Sequence, residues 1–235
     1  MKKILFVAVL WAGHFTQAIA QETIVIVEEP VNTKKMYTKS ASEFIFSWGD
    51  VNAQGLNLES KVRFSVFVNL GQQFHKDFSE KAGMYTGISI RNVGIINDLN
   101  DTVKLKQRVY TLGVPLAIKL GNMQGTHLAI GAEAEFAFNY KQKLYINDEK
   151  SKTNEWFSDR TEIFLPSAFA EIHTKQGGYI KFKYYLTDFL VAGKQKVNVP
   201  NLTYVPTKSQ MLYVSFGYAI PNKKIKGYQV KSNGI

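Results

Sequence analysis

The stretch Thr126-His-Leu-Ala-Ile-Gly-Ala-Glu-Ala-Glu-Phe-Ala-Phe-Asn-Tyr140 decides how this chain is built. One parity reads Leu128, Ile130, Ala132, Ala134, Phe136 and Phe138. The other reads His127, Ala129, Gly131, Glu133, Glu135 and Asn139. Alternate side chains of an extended strand point to opposite faces, so one face here is apolar throughout and the other carries carboxylates. A transmembrane β-barrel reads this way, apolar toward lipid and polar toward its lumen. A soluble barrel binding a small apolar ligand would turn the same apolar face inward.

The beginning of the chain points to export. Lys2 and Lys3 precede an apolar core from Ile4 to Trp11, and Ala18-Ile19-Ala20 forms a small-x-small cleavage site before Gln21. Residues 1–20 therefore read as a signal peptide cut between Ala20 and Gln21. A spanning helix needs roughly 20 apolar residues, which no segment supplies, so any crossing is made by strands. The chain has no cysteine, which excludes a lipidated N-terminal Cys and any disulfide framework. Cleavage lowers Lys plus Arg from 29 to 27 against 19 acids, a balance of +8. The basic residues are spread over strands, loops and tail with no clustered face in the sequence. No nucleic-acid partner is expected, and phosphate-bearing outer-membrane lipids, lipopolysaccharide included, are the expected anionic neighbours.

Eight strands follow from the alternation: 42–48, 62–73, 83–96, 106–120, 126–140, 161–174, 178–189 and 210–220. Most exceed the roughly 9–11 residues that cross a membrane at a tilt. Their connections sort by parity. Gly121–Gly125 and Lys175–Gly177 are tight and Phe74–Ala82 is compact, whereas 49–61, 97–105, 141–160 and 190–209 are long and polar. Short periplasmic turns and long external loops are the habit of an even-stranded outer-membrane barrel. The expected organisation is a signal peptide (1–20), a periplasmic leader (21–41), an all-β up-and-down antiparallel barrel (42–220) and a basic tail (221–235).

Continued along the chain, the alternation assigns Phe64, Val66, Ile88, Ile90, Leu112, Val114, Leu116, Ile118, Ile180, Phe182 and Phe216 to lipid. It assigns Arg63, Arg91, Lys119, Glu133, Glu135, Glu171, Lys181 and Lys183 to the lumen. An eight-stranded barrel is just wide enough for side chains to fill, and buried charges persist when paired. These eight residues are therefore expected to form a lumenal salt-bridge network. Pro166 suggests a bulge or local bend in its strand. Aromatic residues near strand ends, among them Trp48, Tyr85, Tyr110, Tyr140, Tyr145, Trp156, Phe157, Tyr179, Tyr185, Tyr204 and Tyr213, suggest interfacial girdles.

Gly87-Ile-Ser-Ile-Arg-Asn-Val-Gly94 and Tyr110-Thr-Leu-Gly-Val-Pro-Leu-Ala-Ile-Lys119 resemble the paired central strands of PorT-like outer-membrane β-barrel proteins. Glu155-Trp-Phe-Ser-Asp-Arg160 and Lys183-Tyr-Tyr-Leu186 are similar to that family's later segments. The resemblance implies an outer-membrane location and, for some relatives, a part in protein secretion. The chain departs from the common C-terminal aromatic ending, since Phe216-Gly-Tyr218 is followed by a basic tail.

Catalytic chemistry finds little support. His127 and His173 are expected opposite one another at the periplasmic rim as a hydrogen-bonded pair, without a third ligand at metal-binding spacing. No nucleophile motif or phosphate loop is present. The sequence thus points to a non-enzymatic outer-membrane protein without cofactor or metal, structural or interacting through external loops. The alternative is a secretion-associated component with envelope protein partners.

Overall fold

A computed structural model describes residues 36–53, 56, 58–195, 197, 199 and 203–224. The expected signal peptide with its Ala20–Gln21 site, and most of the leader and tail, lie outside the described residues. The elements are β1 (Met36–Ala53), β2 (Glu59–Lys61), β3 (Arg63–Ser65), β4 (Leu70–Asp77), β5 (Ala82–Asn100), β6 (Val103–Gly121), β7 (His127–Ile146), β8 (Glu149–Trp156), β9 (Phe164–His173), β10 (Gly178–Tyr185) and β11 (Pro206–Lys224).

All strand pairings are antiparallel. The order β4–β5–β6–β7–β9–β10–β11 is closed by β1, which pairs with β11 on one side and with β3 and β4 on the other. β3 and β4 share one position in the ring, which therefore has eight strands, and closure leaves the ring without a free edge. The break between them, at Val66–Asn69, holds Val68 in the left-handed region with φ 64°. β2 extends the sheet beside β5, and β8 beside β7.

β6 shows how composition writes the architecture. From Thr111 to Leu120, Thr111, Ala117 and Lys119 are buried, whereas Leu112, Val114, Leu116, Ile118 and Leu120 are 45–63% exposed. Beyond Tyr110 the pattern reverses: Val103, Leu105 and Val109 are buried, and the opposite parity holds Lys104, Lys106 and Arg108. One half of the strand suits a lipid surround and a polar interior; the other suits water and an apolar interior. The outward apolar belt continues through Phe64, Ile88, Ile130, Ile180, Phe182 and Phe216. Contiguous exposure on this scale marks an interaction or membrane surface.

Several expectations are corrected. The barrel begins at Met36 and reaches Lys224, beyond the expected 42–220 at both ends. Two expected loops are largely strand: β5 and β6 run on to a turn at Asp101–Thr102, and β7 and β8 to one at Asn147–Asp148. Polar residues on a sheet rising into water look like loop in the sequence. Pairing through Pro166, which lies opposite Ala134, has no register shift, so of the bulge or bend expected there the bulge is absent. Tyr85, Tyr140, Tyr179, Tyr185, Tyr204 and Tyr213 are buried inside instead of forming a girdle. Most share parity with lumenal charges, and a phenol supplies both packing volume and a hydroxyl.

Candidate functional site

The interior is packed in three layers. At the end carrying the short turns, His127 and His173 are register partners whose rings stack at 4.7 Å, inclined by 3°. They are stacked, not bonded to each other: His173 Nε2 meets Glu171 Oε2 at 2.8 Å, and His127 Nδ1 lies 3.4 Å from the Gly125 carbonyl. Tyr179 stacks on His173 at 4.9 Å, and His75 stacks on Tyr37 at 4.9 Å. Lys119 pairs with Asp77 and donates to Tyr37 Oη at 3.0 Å. Among the described residues no group of three or more His, Cys, Asp or Glu is arranged to hold a metal ion.

The middle layer is a buried charge cluster. Arg91 binds Glu43 at 3.1 Å, Glu135 at 3.3 Å and Glu133. Lys183 bridges Glu133 at 2.7 Å and Glu135 at 3.0 Å, and Lys181 bridges Glu43 and Glu171, both at 2.8 Å. Ser89 donates to Glu133 (2.6 Å), Ser215 to Glu43 (3.0 Å) and Tyr85 to Glu171 (2.7 Å). Gly113 makes room for this: a Cβ there would stand 2.5 Å from Glu133 Oε1 and 2.7 Å from Ser89 Oγ. The arrangement satisfies charges that would be costly alone in a dry interior.

The outer layer is apolar. Val51, Val93, Ile95, Leu99, Leu105 and Val109 pack with Leu165, Phe189, Leu190 and Tyr204. From the described residues between β10 and β11, Phe189, Leu190 and Tyr204 are buried in this cluster. Gln195, from the same stretch, donates to the Arg160 carbonyl at 2.5 Å and accepts from Gln107 at 2.8 Å.

Of the eight residues expected in the lumenal network, Arg91, Glu133, Glu135, Glu171, Lys181 and Lys183 meet in the central cluster. Lys119 is buried but belongs to the turn-end pair with Asp77. Arg63 bonds no carboxylate in the described residues. Among the described residues β3 pairs only with β1, and the guanidinium reaches β5 by donating to Asn92 O at 3.1 Å and Oδ1 at 2.6 Å. Sequence reasoning missed Glu43, although its parity opposes outward Phe44, Phe46 and Trp48. It missed Asp77 because β4 extends into the segment taken as a turn.

No family model and no curated protein matches the chain. Among solved structures it is similar to Ail, the attachment invasion locus protein of Yersinia pestis, at 9% identity and a TM-score of 0.36, over 79% of this chain and 99% of that one. It is also similar to the outer membrane protein OprG from Pseudomonas aeruginosa, at 11% identity and a TM-score of 0.30, over 81% of this chain and 99% of that one. Both likenesses are remote, and the eight-stranded ring rests on its own pairings.

Proposed function

We propose that this chain is an integral outer-membrane barrel of the PorT-like kind, non-enzymatic, with a lumen sealed by side chains and an interaction role at its hairpin end. One observation supports the reading: the belt is apolar outside and ionic inside, and beyond it apolar side chains pack inside the sheet. The ring's two ends lie together at the short-turn end, Tyr37 opposite Lys224. In even-stranded barrels that end faces the periplasm, so the extended hairpins face outward from the cell. The PorT-like resemblance supports the same location.

A second reading, association with envelope proteins during secretion, is favoured by β8. Among the described residues this strand pairs with β7 alone, so its other backbone edge is a candidate to receive an added strand. Reconstitution into planar bilayers tests the main reading. The wild-type protein should insert without a steady conductance, and a stable ohmic pore of nanosiemens scale would overturn it.

A further inference from the structure

The sequence scatters its basic residues, but three strands gather them. Above Tyr110, the register sets Lys106 opposite Lys143, and Lys143 opposite Lys152. One step nearer the belt, Arg108 lies opposite Lys141; one step farther, Lys104 and Lys150 flank Tyr145. Neighbouring strands are about 4.8 Å apart, so three lysines stand in line within roughly 10 Å. Like charges directly opposed destabilise a sheet. Among the described residues, only Lys104 of this group forms an ion pair, with Asp98 at 3.9 Å on the margin of the face, where Asp101 and Asp148 line the same cavity as Lys104 and Lys106. Tyrosines take up part of the remainder: Lys106 lies 5.2 Å from the Tyr145 ring, and Arg108 and Lys141 lie 5.9 and 5.0 Å from that of Tyr110. The Lys143 ammonium is held below its ordinary range by burial, and further by Arg108, Lys150 and Lys152.

This face continues into the belt without a break. Phe138 packs between Tyr110 and Trp156, with ring centroids 6.4 and 6.0 Å away, and outward Leu112 and Val114 follow on β6. Same-face residues are spaced roughly 6.6 Å along a strand, or about 5 Å in height at a 45° tilt. Arg108 and Lys141 then fall within the headgroup layer, about 5–7 Å deep in each leaflet, and the lysine row lies just above it.

We propose that the outward face of β6–β7–β8 is a seat for the phosphate-bearing glycolipid of the outer leaflet. The acyl chains lie on Leu112 and Val114, and the phosphates are held by Arg108, Lys141 and the lysine row. The inference rests on the membrane placement and orientation proposed above. Continuity of the cations with the aromatic and apolar belt favours a lipid over a soluble polyanion, for which the belt would be irrelevant. The bound phosphates would also relieve the repulsion along the row.

The test uses the mature chain refolded in zwitterionic detergent, first checked for heat-modifiable migration and bilayer insertion. Native mass spectrometry then measures retention of diphosphorylated lipid A against the same lipid with its phosphates removed. Wild type should retain the phosphorylated form at least tenfold more tightly. K106S/K143S/K152S should lose that preference while being no less stable without lipid, because it removes like charges. K76S/K81S/K175S, an equal charge change at the turn end, should keep it. A folded, inserted wild type without phosphate preference would overturn the seat and leave the barrel reading standing; failure to fold or insert would overturn both. Equal losses from the two triple variants, or tighter binding of sucrose octasulfate than of lipid A, would also overturn the proposal.

Discussion

Lys183→Met should destabilise the barrel more than removal of any one carboxylate it contacts. The central cluster contains three cations, Arg91, Lys181 and Lys183, against four carboxylates, Glu43, Glu133, Glu135 and Glu171. It already has one negative charge in excess, which His173 and Tyr85 moderate by hydrogen bonding to Glu171. Methionine nearly preserves the volume of lysine but leaves two cations facing four carboxylates. Glu133 and Glu135 lose contacts of 2.7 and 3.0 Å where neither side chain has solvent exposure. Breaking such a buried pair costs about 3–5 kcal/mol.

Glu133→Gln acts in the opposite sense on the charge count, leaving three carboxylates against three cations. Its amide oxygen can still accept from Ser89, so its cost should be about 1–3 kcal/mol. The double variant restores the original excess of one carboxylate. It should therefore be more stable than the sum of the singles implies, by on the order of 2 kcal/mol. Urea unfolding in lipid vesicles gives the three values, with emission from Trp48 and Trp156, both exposed outward, as the probe. Strict additivity, or a Lys183→Met protein as stable as wild type, would refute the view that charge balance holds this interior together.

Two further substitutions probe the faces on either side of the wall. Leu116→Arg puts a cation at an outward position that is 56% exposed in mid-belt, and should cost about 2–4 kcal/mol and impair insertion; wild-type-like heat-modifiable migration would contradict the lipid-facing assignment. Gly217→Ala would bring a Cβ within 2.1 Å of the Tyr179 ring, and should lower stability by about 1–3 kcal/mol through overpacking, read as a lower urea midpoint.

Much of the wall was legible in the sequence because a period of two reports burial directly when the two faces meet unlike surroundings. Leu112–Ile118 against Thr111–Lys119 is such a case, and His127 facing His173 follows from the same count once the turn is placed. What the pattern hid lies where the surroundings change. Beyond Tyr110 the apolar parity moves inside, so Val93, Ile95, Leu105 and Val109 fill a core that an alternation tuned to lipid does not anticipate. The basic face was hidden for another reason. Lys106, Lys143 and Lys152 are separated in sequence and become neighbours only through the register of β6, β7 and β8. Glu43 shows a third limit: parity places it inside, but its partners Arg91 and Lys181 are fixed by ring closure between β1 and β11.

The reversal of the strands also bears on where function is to be sought. A tilted strand crosses a membrane in roughly 9–11 residues, yet β6 has 19 and β7 has 20. The surplus of about eight residues corresponds to roughly 26 Å of strand. Crossing does not require it, and ordering each residue costs about 1–2 kcal/mol in backbone entropy. That cost is offset locally, because the extensions bring their own apolar core. With the belt in the membrane as proposed, the result is a folded platform above it rather than a set of loops joining strands. A rigid sheet holds charged side chains at fixed spacing, which loops of the same composition would not do. The lysine row and β8 belong to these extensions, so partner recognition is best sought there, while the ionic layer beneath stabilises the wall.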